Sequence, residues 1–398
     1  MLLVYSTSKS MSKTTLIIIW VLLFWIGCSN QQTVDLPEYL TDLEDLTIYP
    51  TNTEPEASIE LIREAIFSDR DEVILGRTAG IVVDNDGRLY VGDQHANTIH
   101  VFESDGSYLR QIGRQGEGPG EFLNIWDIQI GDKLLHVQCN LQGVVHAYSL
   151  DNFELSHTTS LLFDPDKIDE LSGWSPNIAF VKNDETYLVQ FYRPIFEVSD
   201  EKRSQRLYTV SNESVLNSDL ILEMHWGGEY LTNINIPTVL VVPYGRTTLL
   251  AVSEESFYTL WTEDLVIKKY DSHGNYISAF YHPVRKKDLR RDEVMDQISI
   301  SNDQQRHLFR NSSLPETWPA VQYFLMDDEQ RFWISTIIDD RNNYEWLVLK
   351  ETGELIDRFI WPREKKIHFV KNGKIYVLET DQESGLDQIV RYGINLQK

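Results

Sequence analysis

"GIVVDNDGRLYVGDQHANTIHVFESDGSYLRQIG", residues 80–113, is the stretch that decides the fold. An apolar run meets an Asn-Asp-Gly turn and an alternating run, and after a polar break the plan repeats around Ser-Asp-Gly. Glycine supplies the positive φ that a tight hairpin turn needs, and a period of two puts alternate side chains on one buried face. Four short strands are expected, at about 80–84, 88–92, 98–103 and 107–112, with turns at Asp86-Gly87 and Asp105-Gly106.

The same cassette recurs along the chain. Copies are "WDIQIGDKLLHVQCNLQGVVHAYSLDNFELSHTTSL" from Trp126, "TTLLAVSEESFYTLWTEDLVIKKYDSHGNYISAFY" from Thr247 and "AVQYFLMDDEQRFWISTIIDDRNNYEWLVLKETGELIDRFIWP" from Ala320. A looser copy lies between the first two of these, and the last, Lys366 to Leu396, has only three strands. Four-stranded antiparallel repeats at periods of 40–50 residues are the signature of a β-propeller. The expected fold is therefore all-β, a six-bladed β-propeller over 57–398, with "ASIELIREAIFSDRDEVILGR" (57–77) supplying the strand that completes the last blade. Closing the ring in this way removes an exposed sheet edge. A segment rich in helix formers, Val284 to Pro319, predicts a short helical insertion packed outside between blades four and five.

Residues 91–122, "VGDQHANTIHVFESDGSYLRQIGRQGEGPGEF", closely resemble the NHL repeat in "VGD", in "NTIHVF" and in G-x-G-x-G-x-F. "LPETWPAVQYFLMDDEQRFWIS" (314–335) looks like the later blades of six-bladed NHL-like lipoproteins of Bacteroidetes-type bacteria. The resemblance implies the six-bladed ring and an extracytoplasmic address. It implies little about activity, because propellers host many functions.

The N-terminus agrees with export. "LIIIWVLLFWI" (16–26) follows Lys9 and Lys13 and has the length of a signal-peptide apolar region. It ends in "WIGC", which resembles a lipobox, with Trp25 where leucine is usual and Cys28 as the acylated residue. Met11 is an alternative start. The expected organisation is a lipoprotein-type signal peptide at 1–27, a polar tether at 28–56 and then the ring. The address is the cell envelope: outer membrane, periplasm or cell surface, with membrane contact by the lipid anchor only.

The formal charge of −25 leaves no basic footprint for DNA or RNA. Two cysteines, Cys28 and Cys139, exclude a disulfide framework, and whether Cys139 is buried or reactive is open. There is no G-x-S-x-G, H-E-x-x-H or P-loop. The glycine-rich "IGRQGEGPGEF" (112–122) lacks the Lys-Ser/Thr of a phosphate loop and reads as the swing from the rim of one blade to the start of the next.

Strand order localises binding. First-to-second and third-to-fourth turns share one face and are tight, while second-to-third loops and blade-to-blade links share the other and are longer and polar. Function belongs on the long-loop face and at the channel mouth. That face collects Asp93, His95, Arg114, Glu117, Glu121, Asn140, Trp261, Glu263, Asp264, Asp339, Asp340 and Arg341. Converging carboxylates would suit Ca²⁺ or another divalent cation; solvated loop charges are the alternative reading. Trp226 and Tyr230, in the turn-rich "MHWGGEYLTNINIP", would overhang the channel and suit a sugar or peptide. Trp126, Trp333 and Trp346 are assigned to packing between blades, and His100, His136 and His146 to strand interiors. The functional expectation is a monomeric binding or scaffold propeller for a protein, peptide or glycan. The alternative is a metal-dependent lyase or lactonase on the same ring.

Overall fold

Each Asp-Gly or Asp-rich turn returns the chain on itself, so consecutive strands pair antiparallel and chain order becomes sheet order. The computed structural model describes residues 36–67, 74–163, 169–193, 203–217, 219–227, 230–233 and 238–397. Blade one consists of Thr78–Val83, Leu89–Asp93, Thr98–Phe102 and Tyr108–Ile112, within two residues of the limits set by its turns. Blades two to five follow over 125–160, 175–225, 248–282 and 321–362. Blade six takes three strands from 366–397 and its fourth, Ser58–Phe67, from the N-terminal side, antiparallel to Asp387–Gln397. The first strand of every blade touches the first strand of the next, and blade six returns to blade one, so the chain is a closed six-bladed β-propeller.

The tight turns are held by a repeated device. In "DNDGRLY" Asp84 accepts hydrogen bonds from the Asp86 and Arg88 amides, from Arg88 Nε (2.7 Å) and from the Tyr90 hydroxyl (2.9 Å). In "DDEQRFW" Asp327 does the same for the Glu329 and Arg331 amides, Arg331 Nε (2.7 Å) and Trp333 Nε1 (2.9 Å). One buried carboxylate thus satisfies the turn's amides and fixes an aromatic ring in the blade interface.

Each of the six blade interfaces carries its own buried apolar cluster. Trp333 and Trp346 belong to the one between blades five and six and are fully buried, as expected of packing residues. Among the described residues the interface between blades three and four has the thinnest cluster, with Leu188, Leu207, Met224 and Phe257 buried in it. Between blades one and two the strands approach so closely that a Cβ on Gly80 would stand 2.9 Å from Ile128.

Three elements depart from the expected plan. The stretch expected as a tether is built into the fold from Leu36 onward. Leu46–Ile48 adds a fifth, parallel strand to the outer edge of blade four, and Leu40 is buried against Val266 and Tyr281. We call 36–56 the strap. Its remainder, 28–35, lies outside the described residues, as do the signal segment 1–27 and Cys28. Second, Tyr230–Asn233 pairs antiparallel with Thr238–Val241, a two-stranded hairpin inserted between blades three and four. Third, the insertion after blade four contains two helices as expected, α1 (Arg291–Met295) and α2 (Asp303–Asn311). They are not confined to the periphery between blades four and five. Val294 and Phe309 pack with Leu240 and Val242 of the hairpin and with Ile337 at the second-to-third loop of blade five, so hairpin and helices form one cap on the long-loop face. Among the described residues no helix is long and apolar enough to cross a membrane.

Candidate functional site

The thin interface has a consequence for the surface. Where the first strands of blades two, three and four begin, side chains that would elsewhere meet a neighbour leave a cavity of about 460 Å³ at the channel mouth on the long-loop face. Trp126, at a bulge in the first strand of blade two, lines it with 41% of its surface exposed. This corrects its assignment to blade packing: the bulge adds a residue to the strand and turns its ring out of the interface. Opposite are Tyr192 and Trp226, their rings edge to face at 5.7 Å, and the strand segment Thr247 to Leu250.

Amide side chains form the floor. Gln138 Nε2 donates to Asn140 Oδ1 (2.8 Å) and to the Asn177 carbonyl (2.6 Å), while its Oε1 accepts from the Ala179 amide. Asn177 Nδ2 donates to Gln190 Oε1 (3.1 Å), and Gln190 Nε2 donates to Gln205 Oε1 (2.8 Å). The ladder engages one end of Asn140 and one of Asn177. Asn140 Nδ2 and Asn177 Oδ1 have no partner among the described residues and are free for a ligand. Apart from the Tyr192 phenol, no ionisable side chain among the described residues lines the cavity, although the chain as a whole carries a charge of −25. Sequence reasoning reached Asn140 and Trp226 and missed Gln190, Gln205 and Trp126. The signal was present in "HVQCN" and "LVQFY", where a glutamine interrupts an apolar strand interior.

The charged residues expected at the site lie outside this cavity, and most of them are engaged. Asp93 is buried, accepting from the amides of Gly76 (2.8 Å), His95 (2.8 Å) and Ala96 (2.9 Å), with His100 Nε2 at 3.7 Å. Burial alone would raise its pKa; the His100 ring and the Ala96 and Gly76 amides outweigh burial and hold it at about 2. His95 itself is exposed. Arg114 pairs with Glu121 at 2.7 Å within the glycine-rich link, and Glu117 faces solvent. That link folds on itself around Gly113 (φ +68°), where a Cβ would stand 2.2 Å from the Phe122 ring. Asp264 is buried between Tyr39 and Lys286, and Glu263 between Arg246 and Lys286. Asp339 faces Arg285 at 3.7 Å, and Arg341 pairs with Glu293 of α1 at 2.8 Å. Tyr230 begins the hairpin, and its side chain lies outside the described surfaces. Trp226 is buried, not overhanging, and Trp261 lines a different cleft beside His225.

Among the described residues no three His, Cys, Asp or Glu side chains stand together so as to hold a metal ion; Asp93, Glu121, Glu263 and Asp264 are each held by amides or cations of their own. His100, His136 and His146 are buried in strands, and burial lowers the pKa of His146. Cys139 is buried, and burial pushes its thiol up to about 12, which makes it unreactive.

Comparison with known proteins agrees with the architecture. The model of the DUF5128 family, described as a 6-bladed beta-propeller, matches residues 68–241. Among solved structures, a Bacteroides fragilis protein classed as exported is 12% identical with a TM-score of 0.51, over 89% of this chain and 99% of its own. A Bacteroides vulgatus member of the DUF4221 family is 11% identical, also with a TM-score of 0.51, over 85% and 99% respectively. At such identities the likeness speaks for the fold alone. No curated protein matches the chain.

Proposed function

We propose that this chain is an extracytoplasmic, lipid-anchored, NHL-type propeller that binds a neutral glycan in the channel-mouth cavity. One observation carries the reading. An exposed tryptophan stands over a floor of hydrogen-bonded amides in a cavity whose described lining holds no charged group. A sugar ring presents an apolar C–H face that stacks on an indole, and hydroxyls that exchange hydrogen bonds with amide N–H and C=O groups. Asn140 Nδ2 offers a donor and Asn177 Oδ1 an acceptor for such hydroxyls. Among the described residues this lining offers no counter-charge to a charged peptide or an acidic protein surface. For the rival reading, a metal-dependent lyase or lactonase, no three ligand-type side chains converge among the described residues.

Export is supported by the apolar segment at 16–26 ending in Cys28, and by the exported classification of a Bacteroides protein of the same fold. Cys28→Ala should move the protein from the membrane fraction to the soluble one; unchanged fractionation would overturn the anchor.

Glycan binding is tested by titrating the protein with neutral oligosaccharides in a calorimeter. Micromolar to millimolar binding that Trp126→Ala weakens at least tenfold is the expected outcome, with stability lowered by less than about 1 kcal/mol. If no neutral oligosaccharide binds, or if Trp126→Ala binds as the parent does, the glycan reading falls.

A further inference from the structure

A second cavity, of about 360 Å³, opens in the same thin interface and shares Thr248 with the first. Its walls come from three places: the fourth strand of blade three with Met224 and His225, the middle strands of blade four with Trp261, Lys268 and Tyr270, and the strap with Tyr39. Period two puts Val266, Lys268 and Tyr270 on one side of their strand, and Tyr270 joins the apolar cluster of blades three and four. Val266 belongs to the apolar cluster under the strap. Lys268 therefore stands between two apolar clusters, in the gap that separates them.

Its ammonium group has no hydrogen bond or ion pair among the described residues. Neighbouring lysines differ. Lys269 Nζ lies 2.6 Å from Glu351, and Lys286 is 2.9 Å from Asp264. The one carboxylate lining the cleft among the described residues, Glu223, is occupied by Arg206 (3.2 Å) and by the Ser204 hydroxyl (2.5 Å). Removal from water lowers the pKa of Lys268, with no nearby charge to offset it. A partly buried unpaired cation costs free energy that an anion brought by a ligand would recover. Around it stand flat rings, with His225 and Trp261 5.0 Å apart.

We propose that this cleft is a second ligand site, for a small ring-bearing carboxylate whose anion meets Lys268 and whose ring lies among Tyr39, His225, Trp261 and Tyr270. One cation matches one carboxylate, whereas a dianionic phosphate would remain half-paired. The site is independent of the glycan cavity, because its cation and its rings do not line that cavity.

The experiment titrates the full chain with benzoate, cyclohexanecarboxylate and indole-3-acetate, each beside its neutral amide. At least one carboxylate should bind saturably, and its amide at least tenfold more weakly. Lys268→Met should abolish binding, Lys268→Arg should retain it, and Trp126→Ala should leave it unchanged. Without ligand, Lys268→Met should unfold at a higher urea concentration than the parent, which also shows that it folds. The proposal is overturned if no carboxylate of the panel binds, or if Lys268→Met binds like the parent. Equal loss in Trp126→Ala would make the two cavities one site and would also overturn it.

Discussion

The Tyr39 hydroxyl donates to Asp264 Oδ2 at 2.7 Å, joining the N-terminal strap to the second-to-third loop of blade four across 225 positions of sequence. Burial, and then the Asp264 carboxylate, raise the pKa of the phenol well above its ordinary value, so it remains a donor at any physiological pH. Lys286 of the insertion reaches the same carboxylate, so strap, loop and insertion meet at one acid.

Tyr39→Phe should therefore destabilise the protein by about 1–2 kcal/mol, the cost of leaving a buried acceptor short of a partner. Urea unfolding at neutral pH measures it. An unchanged midpoint would mean that the strap does not depend on this contact.

The two classes of tryptophan should separate cleanly. Trp346→Ala empties a fully buried position between blades five and six and should cost about 3–5 kcal/mol. Trp126→Ala removes a ring that is 41% exposed and should cost under about 1 kcal/mol. Thermal unfolding of both variants is the measurement, and similar losses would contradict the orientation described for Trp126.

Asp327→Ala should be among the most damaging single changes in the molecule. It strips the partner from the Arg331 guanidinium, the Trp333 indole and two turn amides at once. Breaking a buried pair in this way costs about 3–5 kcal/mol. Asp84→Ala should behave alike in blade one, and urea midpoints of the two variants test the equivalence of the turns.

Two aspartates give opposite pH dependences. Asp93 titrates at about 2 when folded, below its ordinary 3.8, so its stabilisation is present above pH 4 and is lost as pH falls through 2. Asp127, in the first strand of blade two, is pushed up to about 6 by burial, only partly offset by hydrogen bonds from the Gln129 side chain and the Ile128 amide. Its contribution is full below pH 4 and is lost as pH rises through 6. Asp127→Asn should thus raise stability at pH 7–8 by roughly 2 kcal/mol and flatten the profile between pH 4 and 6. Urea midpoints at pH 3, 5 and 7.5 report both effects.

The ring was legible because its causes are local. Asp-Gly turns and period-two runs sit within ten residues of one another, and Asp84, Arg88 and Tyr90 complete their contacts inside one hairpin. The cavity was not, because Trp126, Asn177 and Thr247 come from three blades and meet only when the ring closes. The strap reads as a polar linker because Pro37, Asp42, Glu44 and Asp45 dominate its composition. Its apolar residues carried the missed signal: Leu36, Leu40, Leu43 and Leu46 recur every three or four positions and pack as one stripe, around the buried Leu40, against Val266 and Tyr281. The charged residues of the long-loop face misled for a physical reason. Acids that begin loops are as often needed by their own backbone amides as by a ligand, and Asp93 shows the former.

The strap also sets a leash. Cys28 precedes Tyr39 by eleven residues, about 40 Å at full extension. With Cys28 acylated as proposed, the Tyr39 wall of the second cleft cannot move further than that from the lipid headgroups. Ligands would then be taken from a layer of about that depth beside the bilayer, and compounds confined to deeper solution would go unsampled.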